Sequence, residues 1–200
     1  MSAPSIAPAP RPFPERPAAP PGPSTVSSAV TAALHDLLGV ELTATVRPTG
    51  DLVPVDWPAA AVPAASAGRR RQPDGASTAR ATGDGLTLEV TGAGRLACDV
   101  AAVRPRPLGD WERLLAEHAA LAREAMGLAG ERHDTAACRT DAVLRCLRAL
   151  RLPTSVPLVI APPRRPGWLV YVSGTLRVAT LVVRRRSELP PVTLAFLTDG

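Results

Sequence analysis

The sequence predicts an α+β domain in which antiparallel strands pack with two main helices. Three observations carry this. Apolar residues recur at helical spacing near residues 24–39, 110–128 and 134–150. Short alternating or β-branched runs occupy 40–46, 86–103 and 157–197. Between residues 40 and 197 strands come first, then two helices, then strands again, the order of an α+β chain.

The composition sets bounds. Two hundred residues suffice for one domain or for two small halves that share a core. Hydrophobic residues make up 46% and aromatic ones 3%, so Leu, Val and Ala must fill that core. There is no Lys, and every basic charge is an Arg. The net charge of +5 keeps nucleic acid, acidic carrier proteins and phosphate ligands open as partners. A recognisable nucleic-acid motif with interleaved aromatics is missing, which argues against nucleic acid. The runs Arg69-Arg70-Arg71 and Arg184-Arg185-Arg186 read either as solvated loop ends or as binding faces. Cys98, Cys138 and Cys146 lack metal-site spacing and are odd in number, so neither zinc nor a disulfide framework is expected. No apolar run reaches the roughly 18 residues of a membrane span. No charged N-terminal region leads into an apolar run, so a signal peptide is not expected and a reduced, cytoplasmic location is.

Taken in order, residues 1–24 form a Pro/Ala-rich arm without periodicity, expected to be disordered, and the domain spans 25–200. A first helix runs from Ser24 to Gly39 on the stripe Val30, Leu34, Leu37, Leu38. Val40–Val46 alternates as a half-buried strand, and 47–80 reads as a long loop. Strands Leu86–Val90 and Leu96–Val103 are joined by the tight turn Thr91–Gly94. One amphipathic helix is expected over Asp110–Leu128, with Trp111, Leu114, Leu115, His118, Leu121 and Ala125 on its apolar face. A second runs from Asp134, an expected N-cap, to Leu150. Strands follow at 157–160, 168–173, 176–183 and 192–197.

The segment Gly85-Leu86-Thr87-Leu88-Glu89-Val90, followed by Leu96-Ala97-Cys98-Asp99-Val100, resembles the 4′-phosphopantetheinyl transferase signature. In that signature a strand closes on Gly-(Ile/Cys)-Asp-x-Glu. The run Ala136–Ala149 resembles the helix of the transferase domain that ends enediyne-type and other iterative polyketide synthases, and Arg69–Gly75 resembles its basic loop. The likeness extends over roughly residues 25–198 and is sharp between 85 and 150. It implies a phosphopantetheinyl transferase-like fold. The activity implied is transfer of phosphopantetheine from coenzyme A to a serine of an acyl carrier protein. Mg²⁺ would bridge the phosphate oxygens, and basic residues would grip them. An acyl carrier protein or a polyketide synthase is the implied partner.

Carried over by position, Asp99 matches the first metal-binding aspartate, and Arg139 and Arg148 match basic positions that hold coenzyme A. Ala101 stands where the family has Glu, and Arg145 where it has the helix glutamate. Asp141 replaces a tryptophan, and Ala81-Thr82 replace a Ser-His pair, so no catalytic residue carries over. Asp141 and Arg145, four residues apart, can pair on one helix face. Asp99 is therefore either a residual metal ligand or a strand-end carboxylate paired with an arginine. A divergent transferase-like protein with impaired chemistry is the first expectation. A non-catalytic assembly module of a polyketide pathway is the second.

Overall fold

The computed structural model of the chain describes residues 23–49, 55–56, 76–185 and 189–199. The first 22 positions of the expected arm, the run Arg69-Arg70-Arg71 and most of the 47–80 segment lie outside these residues.

Helix α1 (Pro23–Leu38) forms on the expected stripe, with Val26, Val30, Ala33, Leu34, Leu37 and Leu38 all buried. It lies along strand β1 (Leu42–Pro48) and supplies hydrogen bonds to its free edge. Thr31 Oγ1 accepts from Ala44 N at 2.9 Å and donates to Ala44 O at 3.2 Å. Ser27 Oγ accepts from Val46 N at 3.1 Å. Helix hydroxyls thus occupy an edge that would otherwise present bare amides and carbonyls.

Strand β3 (Ser77–Gly83) corrects the expected loop over 47–80, whose last residues pair with β4 (Leu86–Gly92) from Ser77↔Gly92 to Gly83↔Leu86. Its sequence, STARATG, carries no large apolar residue, and the strand exists because Leu86, Leu88 and Val90 of β4 offer a buried ladder beside it. The short strand β2 (Val55–Asp56) also falls within the expected loop. With β1 on its other side, β4 is the centre of a three-stranded antiparallel sheet, β1-β4-β3.

The two strands joined by the expected tight turn at Thr91–Gly94 do not pair with each other. Strand β5 (Arg95–Ala102) does not pair with β4 but joins a second sheet, beside β9 (Val192–Asp199). The chain passes from one sheet to the other at Ala93-Gly94. Gly94 adopts φ +80°, and a Cβ there would lie 2.8 Å from the Asp199 carbonyl, so only glycine fits the crossing.

The larger sheet is antiparallel in the order β5-β9-β8-β7-β6, built with β8 (Leu176–Arg185), β7 (Trp168–Ser173) and β6 (Val159–Ala161). β2 pairs with the far end of β8. Alternation along these strands feeds two cores. Val192, Leu194 and Phe196 pack toward α1 and the small sheet, while Ala195 and Leu197 pack toward a helical layer. Trp168 and Leu169 divide in the same way.

That layer consists of α2 (Leu108–Leu115), a 3₁₀ turn at Ala116–His118, α3 (Ala119–Ala129) and α4 (His133–Ala149). The single helix expected over 110–128 is therefore two helices. Ala116, at φ +49° and ψ −121°, breaks it with no glycine or proline to announce the break. Of the expected face, Trp111, Leu115, His118, Leu121 and Ala125 are buried, but Leu114 is exposed, because the break at Ala116 sets α2 apart from α3 and turns Leu114 off the core side. α4 is the central helix, enclosed along Ala136–Thr140 and Ala142–Leu144. Arg132, without a side-chain hydrogen bond, stands at its N-cap in place of the expected Asp134. The architecture is mixed α+β with antiparallel sheets. No helix among the described residues is long and apolar enough to cross a membrane.

Candidate functional site

Strand β5 with its following loop, the β3–β4 turn and two helices meet at a cleft of about 210 Å³ beside the C-terminal end of β5. Its lining includes Ala101 and Ala102 from β5, Arg104 and Arg106 from the following loop, Trp111 from α2, and Cys138, Asp141 and Arg145 from α4. Asp84, from the β3–β4 turn, closes one side.

Arg145 is the hub. Its Nη2 lies 3.3 Å from Asp99 Oδ2 and 3.3 Å from Asp141 Oδ2, so one guanidinium bridges a strand carboxylate and a carboxylate of its own helix. The i, i+4 pair is the one the spacing predicts; Asp99 joins because it alternates onto the helical face of β5 between Cys98 and Val100, which face the other core. Two carboxylates against one guanidinium leave a net negative charge. Burial raises the Asp99 pKa from its ordinary value, Arg145 draws it back and Asp141 adds to the rise. The Asp99 Oδ2 and Arg145 Nε atoms are buried without a hydrogen bond, so the contact is an ion pair rather than an aligned fork.

The rim is ordered by short tethers. Asp84 Oδ2 accepts from Ala102 N at 2.8 Å, and Asp84 Oδ1 pairs with Arg104 Nη2 at 3.2 Å. The Arg106 guanidinium lies over the Trp111 ring, 5.0 Å from its centre. Trp111 Nε1 and Arg106 N both donate to Asp134 Oδ1, at 2.8 and 3.0 Å. Cys138 reaches the carbonyls of Ala101 and Ala102. Burial raises its thiol pKa to about 11, and raises that of Cys98 to about 12 with help from Asp99, so both remain protonated near neutrality.

The other expected residues lie elsewhere. Arg139 is fully buried, and all five of its N–H groups are engaged within the protein. Nε and Nη2 donate to the two oxygens of Glu131; Nη1 donates to Thr180 O at 2.8 Å and Thr180 Oγ1 at 3.0 Å; and Nη2 also reaches Gly167 O at 2.9 Å. It ties α4 to β8 and has no donor left for a phosphate. Arg148 is exposed near the end of α4 and does not line the Arg145 cleft. The three arginines of α4 therefore do not form one gripping face. His118 donates from Nε2 to the Thr154 carbonyl and anchors a loop.

A divalent ion is the group that the resemblance implies for Asp99. No cluster of three or more His, Cys, Asp or Glu side chains suited to a metal occurs among the described residues. Arg145 already stands between the two carboxylates that come nearest to such a set. A dication placed there would meet a like charge at contact distance, a repulsion of several kcal/mol even at an effective dielectric of about 20. Mg²⁺ does not fit this arrangement. Sequence reasoning missed Arg104, Arg106 and Asp84; their only signal was the density of arginine after β5 and the Asp-Gly turn.

No protein-family model matches the chain, and no curated protein matches it significantly.

Proposed function

We propose that this chain is a binding module related to the phosphopantetheinyl transferases, in which an internal guanidinium has replaced the catalytic metal. It recognises a phosphopantetheine-bearing ligand, coenzyme A or a carrier protein, at the Arg104–Arg106–Arg145 cleft without transferring the group. The observation that carries this reading is the contact of Asp99 with Arg145, 3.3 Å apart. In the resemblance these two positions are co-ligands of one ion, and side chains that share an ion must face each other. Here they face each other with one carboxylate changed to a cation. The arginine-rich rim offers charge to a phosphorylated ligand, with Arg106 held in place over the buried Trp111 ring. A phosphopantetheinyl transferase-like fold belongs to the same proposal.

Calorimetric titration with coenzyme A, in Mg²⁺ and in chelator, tests it. Binding of equal strength in both, lost in Arg104→Gln/Arg106→Gln, is the expected result. Binding that requires Mg²⁺, with label transferred to a carrier-protein serine, would establish an enzyme instead. Absence of binding to coenzyme A and to carrier protein alike would leave an assembly module without this ligand.

A further inference from the structure

A second hollow, of about 640 Å³, opens on a different side of α4. The α3–α4 junction and the start of α4 form one wall, and the outer part of β8 forms the other. Its lining shares no residue with the Arg145 cleft. We infer that this hollow is a second binding site, for a small organic anion that carries an apolar body.

The charge around it is one-sided. Arg132 and Arg184 stand on the two walls, and both are exposed. Glu131 is the one acidic residue in the lining, and both of its oxygens are held by Arg139. Asp134, the carboxylate that acts on Arg132 electrostatically, is turned to Trp111 and Arg106. Asp56 is the register partner of Arg184 in the β2–β8 ladder. The lining therefore presents two exposed guanidinium groups beside a single carboxylate that Arg139 already holds, and guanidinium forks suit carboxylate, sulfonate or phosphate oxygens.

The rest of the lining fixes the other half of the ligand. Ala129, Val182 and Pro191 provide apolar surface, and Gly130 and Gly167 leave the walls without side chains there. The buried Arg139–Glu131 pair forms a stiff floor, tied to Thr180 and Gly167. A hollow several times the volume of a single oxyanion, with charge at its walls and apolar surface between, suits an amphiphilic anion better than a bare inorganic one.

A pair of fluorescent probes tests the inference on the intact chain. 1-Anilinonaphthalene-8-sulfonate has the anion and the rings; N-phenyl-1-naphthylamine has the rings alone. The sulfonate should bind saturably and about tenfold more tightly than the neutral probe, and added salt should weaken only the sulfonate. Arg132→Gln/Arg184→Gln should bring the sulfonate down to the affinity of the neutral probe, whereas Arg123→Gln, a charge removed elsewhere, should leave it unchanged. Equal affinity for the two probes, no loss in the double variant, an equal loss in Arg123→Gln, or no binding of the sulfonate would each overturn the site.

Discussion

Trp111 Nε1 donates to Asp134 Oδ1 at 2.8 Å, joining α2 to the first turn of α4 across 23 residues. Burial there works against the charged carboxylate, but the hydrogen bonds from Trp111 and Arg106, with Arg132 and His133 nearby, outweigh it and hold the pKa below its ordinary value. A depressed carboxyl stabilises the fold above its unfolded pKa of about 3.9, and the stabilisation is lost as pH falls through the lower folded value. Asp134→Ala should cost about 1–3 kcal/mol at neutral pH, since Trp111 Nε1 is left buried without an acceptor. Urea midpoints measured between pH 6 and 3 should lose part of their acid-side slope in this variant.

Asp99 has the opposite sign. Burial raises its pKa, so the folded state holds that proton more tightly than the unfolded chain does. Stability therefore falls as pH rises from about 3.9 through the raised folded value, and is level above it. Asp99→Asn should flatten that segment of the pH profile. Removing the bridge with Arg145→Met leaves Asp99 and Asp141 facing each other. It should cost about 1–3 kcal/mol, less than a fully enclosed pair because 38% of the Arg145 side chain remains exposed.

Arg139 is the enclosed case. Arg139→Met leaves the Glu131 carboxylate without its counter-charge and Thr180 O without its donor. A loss of about 3–5 kcal/mol is expected from urea unfolding. Adding Glu131→Gln to it should recover part of the loss, because the orphaned charge is removed. A double variant no better than the single would show that the pair does not act as a unit.

Two glycines should respond in opposite directions. A Cβ at Gly83 would lie 2.8 Å from the Val100 carbonyl, where the small sheet abuts β5, and backbone cannot yield cheaply. At Gly127, inside α3, a Cβ meets nothing within 4 Å. Gly127→Ala should raise the urea midpoint through a helix-propensity gain of about 0.5–1 kcal/mol, and Gly83→Ala should lower it.

The sequence was readable where one segment decides its own structure. The α1 stripe, the alternation of β1 and, Leu114 apart, the apolar face around Trp111 are local patterns, and they appear as expected. Asp141 and Arg145 were legible as neighbours for the same reason, since helical spacing alone brings them together. Ser77–Gly83 was not, because its strand is set by the β4 ladder rather than by its own residues. The separation of β4 from β5 was hidden as well. It turns on the approach of Gly94 to Asp199, 105 residues away in the chain and close only once β9 is in place. Asp134 carried an N-cap signal, yet Trp111 and Arg106 claim its oxygen. Asp99 meets Arg145 only because β5 and α4 pack face to face, a fact of tertiary structure with no trace in spacing.

β9 stands between β5 and β8 and sends alternate side chains into both cores. During synthesis, residues 192–199 leave the ribosome after every other described strand. Until they do, β5 has no partner strand, and neither core can close. A chain that lacks β9 therefore leaves Leu96, Val100, Val178 and Leu181 short of the residues that cover them. Until β9 is in place, that apolar surface favours aggregation and chaperone capture.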